Sequence, residues 1–209
     1  MTTAVVITGG DRVPESALAG LLPASFVVAA DSGLDHAEQL GVVPDLVVGD
    51  FDSVTDDALQ RFGGPVDRHP VAKDATDLEL ALRAAVDSAP ERIVVVGGHG
   101  GRLDHFLANA LVLTTVPTGI EVEWRAGHAS IHLVRRRCRL EGTVGATVSL
   151  IPVNGDAVGV DTVGLRWPLA GATLGFGTTL GVSNEFSAAV VDISIETGTL
   201  FVVVPETRR

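Results

Sequence analysis

The sequence predicts an α/β protein in two parts: a doubly wound, mostly parallel sheet domain over residues 1–119, then an all-β antiparallel sandwich or flattened barrel over 120–209. Three observations predict it. Short Val/Ile runs without polar alternation recur through the first half, each followed by a glycine-containing turn. Helix-like segments lie between them, as in strands buried on both faces and joined by right-handed crossovers. After about Gly119 that rhythm stops, and period-two segments punctuated by Gly and Thr replace it. No internal repeat or low-complexity linker separates the halves, so two abutting domains are expected.

The elements follow in order. Ala4–Ile7 leads into Thr8-Gly9-Gly10-Asp11, and Phe26–Ala30 into Asp31-Ser32-Gly33. A helix over 34–40 stops at Gly41, which suits the position just past a last turn. Leu46–Val48 runs into Gly49-Asp50-Phe51-Asp52. Thr76-Asp77-Leu78-Glu79 has the form of a capping box opening a helix over 77–88. Leu78, Ala81, Leu82, Ala85 and Val86 give that helix one apolar face. Ile93–Val96 runs into Gly97-Gly98-His99-Gly100-Gly101, and a helix over 103–113 follows. In the second half the strands are 120–124, 147–151, 190–195 and 200–204, and ISIETGTLFVVV reads as a hairpin turning near Thr197-Gly198. The one dense basic run, Arg135 to Arg137 with Arg139, reads as an edge strand shielded by charge.

Composition limits the function. With 209 residues, 46% of them hydrophobic, the chain can bury a substantial core. A net charge of -11 argues against a nucleic-acid partner, because phosphate backbones need a basic footprint. Cys138 is the only cysteine, so no intrachain disulfide forms, and the first residues lack the basic and apolar regions of a signal peptide. No apolar run approaches the roughly 20 residues that span a bilayer. A soluble, cytoplasmic protein is expected. Lys73 stands alone as a lysine against fourteen arginines, which invites a specific role for it.

Ligands of an open parallel sheet bind beyond the carboxyl ends of its strands. The strand-end turns therefore collect Asp11, Asp31, Asp50 and Asp52 on one rim, with Arg102 and Asp104 beside the glycine turn. Asp74 and Asp77 stand at the start of the capped helix, immediately after Lys73. Any one of these aspartates could be a turn former or a helix cap. Together they repel one another by roughly 1 to 4 kcal/mol per close pair unless a cation is bound. Oxygen donors without a nearby cysteine, and six histidines without zinc spacing, suit Mg²⁺. Magnesium commonly bridges to phosphate, so a magnesium-polyphosphate ligand is the natural occupant. Backbone amides of the Gly97–Gly101 turn can approach phosphate closely. The turn is neither a Walker A loop nor a dinucleotide fingerprint.

Ala30-Asp31-Ser32-Gly33, Pro44 to Ser53, Lys73 to Glu79 and Gly97 to His105 resemble, in order, the motifs of thiamine pyrophosphokinases. Gly164 to Leu169 (GLRWPL) and Gly181 to Phe186 (GVSNEF) extend the resemblance nearly end to end. The resemblance implies transfer of a diphosphate group from ATP to the hydroxyethyl arm of thiamine, giving thiamine diphosphate and AMP. It implies Asp50, Asp52, Asp74 and Asp77 as the catalytic magnesium ligands. On the nucleotide side it places Asp31, Lys73, Thr76, Gly98, Gly101, Arg102 and Asp104. Trp167, Ser183 and Asn184 would hold thiamine, and a homodimer through the β domains is implied. Without the resemblance, Trp167 would be read as core. His99, where many relatives carry a small or hydroxyl residue, departs from the family pattern. Two other readings compete: a magnesium-dependent phosphohydrolase, from the Asp50-x-Asp52 spacing, though Ser53 rather than Thr follows; and a non-catalytic nucleotide or thiamine sensor.

Overall fold

A computed structural model describes residues 1–52, 54 and 56–206; Ser53 of the motif above lies outside them. The chain divides into two compact units, Met1–Gly127 and His128–Arg209. The division falls eight residues beyond Gly119, because the strand Glu121–Ala126 pairs in parallel with Arg92–Gly97 of the first unit. In sequence that strand alternates like a half-solvated one. Its Glu123 is nevertheless buried, with Arg92 and Arg125 as ion-pair partners.

Among the described residues of the first unit, parallel strands are β1 (Thr3–Thr8), β2 (Phe26–Ala30), β3 (Leu46–Gly49), β4 (Val66–Arg68), β5 (Arg92–Gly97) and β6 (Glu121–Ala126), in the spatial order β6-β5-β1-β2-β3-β4. Val5 of β1 lies opposite Val27 of β2 and Val94 of β5. The apolar runs are buried nearly completely, as strands covered on both faces require. Among the described residues the α-helices that accompany them are α1 (Gly33–Gln39), α2 (Asp56–Phe62), α3 (Asp77–Asp87) and α4 (Leu103–Val112). Val5, Ile7, Val27, Val94 and Val96 cluster with Ala37 of α1. From β1 to β4 the chain steps one way across the sheet, and the connection through α3 returns it to β5 on the other side of β1. Right-handed crossovers place helices on opposite faces when the direction of winding reverses. The reversal falls at β1 and β5.

Local signals set the helix ends. Gly41 adopts φ +67 just past α1, and Gly41 N–H donates to the Glu38 carbonyl. Thr76 caps α3: its Oγ1 accepts from Glu79 N–H at 3.2 Å. Leu78, Ala81, Leu82 and Ala85 of α3 are buried. Among the described residues, no helix is long and apolar enough to cross a membrane.

The second unit contains β7 (Ala129–Val134), β8 (Arg137–Glu141), β9 (Thr147–Pro152), β10 (Ala157–Val163), β11 (Ala172–Leu174), β12 (Asn184–Glu185), β13 (Val190–Ser194) and β14 (Leu200–Pro205). The strands β12-β9-β14-β7 pair antiparallel, and β11-β10-β13-β8 form a second antiparallel sheet. Side chains of both, among them Val148, Leu150, Val160, Leu174, Val191, Ile193, Leu200 and Val202, make one core. This is the sandwich arrangement. The arginine-rich β8 is an edge strand with Arg137 and Arg139 exposed, as its charge predicts. The predicted hairpin at Thr197-Gly198 is absent. β13 pairs with β8 and β10 whereas β14 pairs with β7 and β9, so the connection crosses from one sheet to the other. Val158 anchors the crossing through a bridge to Thr197. A Cβ at Gly198 would lie 2.3 Å from the Asp156 carbonyl oxygen.

Candidate active site

The carboxyl ends of β1 and β5, where the winding reverses, open onto a cleft of about 620 Å³. Strand-end geometry predicts a ligand crevice at this point of an open parallel sheet. Asp31, Asp50, Asp52 and Asp77 line one side of the cleft, and Gly98, Gly101 and Arg102 line the other. Thr76, Asp11, Ser32, His99, His105 and Asn109 are among the other residues of its wall. Strand ends had put Asp11 on the rim. His105 and Asn109 stand i,i+4 on one helix, a spacing more often structural, and both line the cleft; Ser32 had no separate signal, since a serine after a turn is common in any fold.

The glycine turn is built for backbone approach. Gly98 has φ +72, and a Cβ there would sit 3.0 Å from Thr8 Cγ2 and 3.1 Å from Asn109 Nδ2. Gly101 has φ +57 with open space around it, so conformation alone requires glycine. Immediately after it α4 begins, and Arg102 at its cap makes no side-chain capping bond, while the Asp104 carboxylate engages the His105 amide of the first turn. Trp124 holds the turn from beneath. It is fully buried, its Nε1 donates to the Gly97 carbonyl at 2.7 Å, and its ring lies 5.1 Å from Phe106 of α4. Trp124→Phe, which keeps most of the ring packing and loses the bond, should lower unfolding free energy by about 1 kcal/mol in urea titration.

The acidic side carries a concentrated charge. Asp31, Asp50 and Asp52 each offer a carboxylate oxygen, and these atoms lie within 4.8 Å of one another. Asp31 is 9% exposed, stands at φ 46, and its Oδ1 is buried without a hydrogen-bond partner. Burial pushes the Asp31 carboxyl above its ordinary range, reinforced by Asp77, Asp50 and Asp52 and opposed by the Ser32 backbone. Lys73 is the counterweight. Its Nζ donates to Asp50 Oδ2 at 2.8 Å and to Asp77 Oδ1 at 2.6 Å. The Lys73 bond holds the Asp50 carboxyl below its usual range. Burial pulls the ammonium down, but its bonds to the two aspartates outweigh burial and raise it.

The remaining predicted residues fall elsewhere. Asp74, two residues before the cap Thr76, is exposed and outside the cleft lining, while Asp31 stands with Asp50 and Asp52. Asp104 is exposed in the first turn of α4 and paired with Arg102, whose guanidinium lowers its carboxyl to about 2. In the second unit Trp167 is 52% exposed, which removes the core reading of that residue. Ser183 is exposed with φ 60, and Asn184 is buried. The Asn184 carboxamide is engaged by backbone: Oδ1 accepts from Trp167 N–H at 3.1 Å and Glu185 N–H at 2.8 Å, and Nδ2 donates to the Trp167 carbonyl at 2.7 Å.

Oxygen-only donors, an orphaned buried carboxylate oxygen and surplus negative charge fit a hard divalent cation such as Mg²⁺. The glycine turn and a helix start opposite fit a polyphosphate.

Comparison with known proteins agrees with this geometry. Residues 21–123 match the family model for the thiamin pyrophosphokinase catalytic domain, and residues 132–200 match that for the thiamin pyrophosphokinase vitamin B1 binding domain. A thiamine pyrophosphokinase of Bacillus subtilis (strain 168) is 28% identical over 210 residues, covering 97% of this chain and 98% of the relative. Thiamine pyrophosphokinase 1 of Oryza sativa subsp. japonica is 25% identical over 174 residues, 77% of this chain and 66% of the relative. The crystal structure of a thiamine pyrophosphokinase from Bacillus subtilis superposes with a TM-score of 0.87 at 27% identity, covering 99% of this chain and 100% of that one. A thiamin pyrophosphokinase structure from Geobacillus thermodenitrificans gives 0.82 at 25% identity, covering 99% and 98%.

Proposed function

Since the chain belongs to the thiamine pyrophosphokinase family, we propose that it is a thiamine diphosphokinase that transfers a diphosphate group from ATP to thiamine, releasing AMP. The observation that carries this reading is the juxtaposition, in one cleft, of three converging carboxylates from the ends of β2 and β3 with a glycine turn after β5 that leads into a helix start. Asp31, Asp50 and Asp52, with Asp77 beside them, would hold Mg²⁺. When bound, the cation would neutralise the polyphosphate and polarise its oxygens. Phosphoryl-type transfer depends on positioning and charge stabilisation. The Gly100 and Gly101 amides and Arg102 orient the phosphates, and Lys73 supplies a fixed positive charge beside Asp50 and Asp77. Thiamine is received on the exposed Trp167, whose aromatic face attracts a flat cationic heterocycle. The thiamine hydroxyl oxygen bonds to the β-phosphorus, the bond from that phosphorus to the AMP oxygen breaks, and a carboxylate of the cluster takes the hydroxyl proton. Two copies associate through their second units in this reading, and the enzyme works in the cytoplasm.

Incubation with ATP, thiamine and Mg²⁺ tests it. Equal amounts of AMP and thiamine diphosphate are expected. Phosphate release without thiamine would instead indicate a phosphohydrolase. No turnover would indicate a sensor. Trp167→Ala should raise the KM for thiamine about tenfold, the scale of a lost stacking contact, with the KM for ATP unchanged in steady-state assays.

A further inference from the structure

Asn184 belongs to the motif that the thiamine-side reading singles out, yet its side chain has little left to offer a ligand. A carboxamide oxygen has two lone pairs. Both are taken here by backbone N–H groups, those of Trp167 and Glu185, and the Trp167 carbonyl takes one of the two amide hydrogens. Asn184 is 7% exposed, whereas the indole it adjoins is 52% exposed. An exposed loop tryptophan would ordinarily sample several positions at little cost. This one is gripped at both backbone polar groups by one buried residue.

Neighbouring contacts complete the mounting. Arg166 N–H donates to the Glu185 carbonyl at 2.9 Å, and Leu165 bridges to Phe186. The Arg166 guanidinium lies 4.8 Å from the Trp167 ring centroid and is held by Glu185 Oε2 at 2.7 Å. One face of the indole is therefore occupied by a tethered cation, and the carboxylate of Glu185 offsets that charge.

We propose that Asn184 is a positioning residue that acts through Trp167: it fixes the backbone of Trp167 so that the indole stands as a rigid plate, with Arg166 closing one face and the other open to thiamine. The inference rests on the reading that thiamine docks at Trp167. Preorganisation of this kind lowers the ordering cost of binding without adding a contact.

Thiamine titrations by calorimetry test it with Asn184→Ala, Trp167→Ala and the double variant. Asn184→Ala should weaken thiamine binding about tenfold, with kcat at saturating thiamine within about twofold and the KM for ATP unchanged. Because Asn184 works through Trp167, the double variant should bind no more weakly than Trp167→Ala alone. Additive losses would mean that Asn184 touches thiamine itself and would overturn the proposal. So would wild-type affinity in Asn184→Ala alongside weakened binding in Trp167→Ala. Wild-type affinity in Trp167→Ala overturns the docking reading, and the proposal with it. Asn184→Ser, whose hydroxyl can still accept a backbone N–H bond without burying a charge against the Trp167 carbonyl, guards against a variant that does not fold and should show a smaller loss. A further readout comes from light: Trp124 is fully buried, so acrylamide quenching reports Trp167, and its quenching should rise in Asn184→Ala before thiamine is added.

Discussion

Asp52→Asn should lower turnover at least about a hundredfold while leaving the fold intact. Loss of a partner that merely orients a metal ligand typically costs 10- to 100-fold, so loss of a charged ligand should cost at least the upper end of that range. The substitution keeps the shape of the side chain and the backbone N–H that donates to Asp50 Oδ1 at 3.2 Å. It also removes one of the charges that push the Asp31 carboxyl up. Stability should therefore be unchanged or slightly higher, which separates the loss from unfolding. Initial rates across a magnesium titration, read beside thermal melts, check both halves. Rates near wild type at every magnesium concentration would sink the cation site.

Much of this site was legible because continuous apolar strands and their terminal turns leave few alternatives. Ala4–Ile7, Phe26–Ala30, Leu46–Val48 and Ile93–Val96 are all strands of one parallel sheet. A parallel sheet presents its carboxyl ends on one rim, so Asp31, Asp50 and Asp52 had to converge. What the residues could not convey was tertiary. Glu121–Ala126 alternates in sequence, and only the two arginines beside Glu123 explain how its polar position can be buried in a parallel sheet. Elements with weak patterns gave no signal: α2; β4, whose three residues are all exposed; and, in the second unit, β10, whose run is broken by Gly159 and Asp161, with the short β11 and β12. The turn at Thr197-Gly198 has hairpin chemistry, but the partners of the flanking strands lie far away in sequence. Among the site residues, Asp74 and Asp77 look equivalent in the motif. The first residue of α3 is Asp77, and it is the one that lines the cleft. Trp167 and Asn184 looked like two thiamine contacts, and the hydrogen bonds between them make one the mount of the other.

Lys73→Met should produce a protein whose stability depends on divalent cation far more steeply than that of the wild type. Lys73 is 12% exposed at its side chain, Asp50 is 9% and Asp77 is 27%, so the bridge is largely shielded from water. Removing one member of a buried ion pair typically costs 3 to 5 kcal/mol, because the partner charge is left without compensation. Two carboxylates lose their cation here, but the partial exposure of Asp77 lets water recover some of the cost. A loss of about 3 kcal/mol follows, or about 6 to 12 °C in Tm for a chain of this size. The same carboxylates belong to the acidic side of the cleft. With the ammonium gone, a divalent cation is the remaining means of neutralising them, and binding to the folded state raises stability by mass action. In chelator the variant should melt well below the wild type, and rising magnesium should narrow the gap. Lys73→Arg, which retains a positive charge, should lie between the two in chelator. Melting curves for the three proteins across a magnesium series provide the measurement. A Lys73→Met protein as stable as wild type in chelator, or one destabilised equally at all magnesium concentrations, would show that Lys73 does not share the work of a cation at this centre.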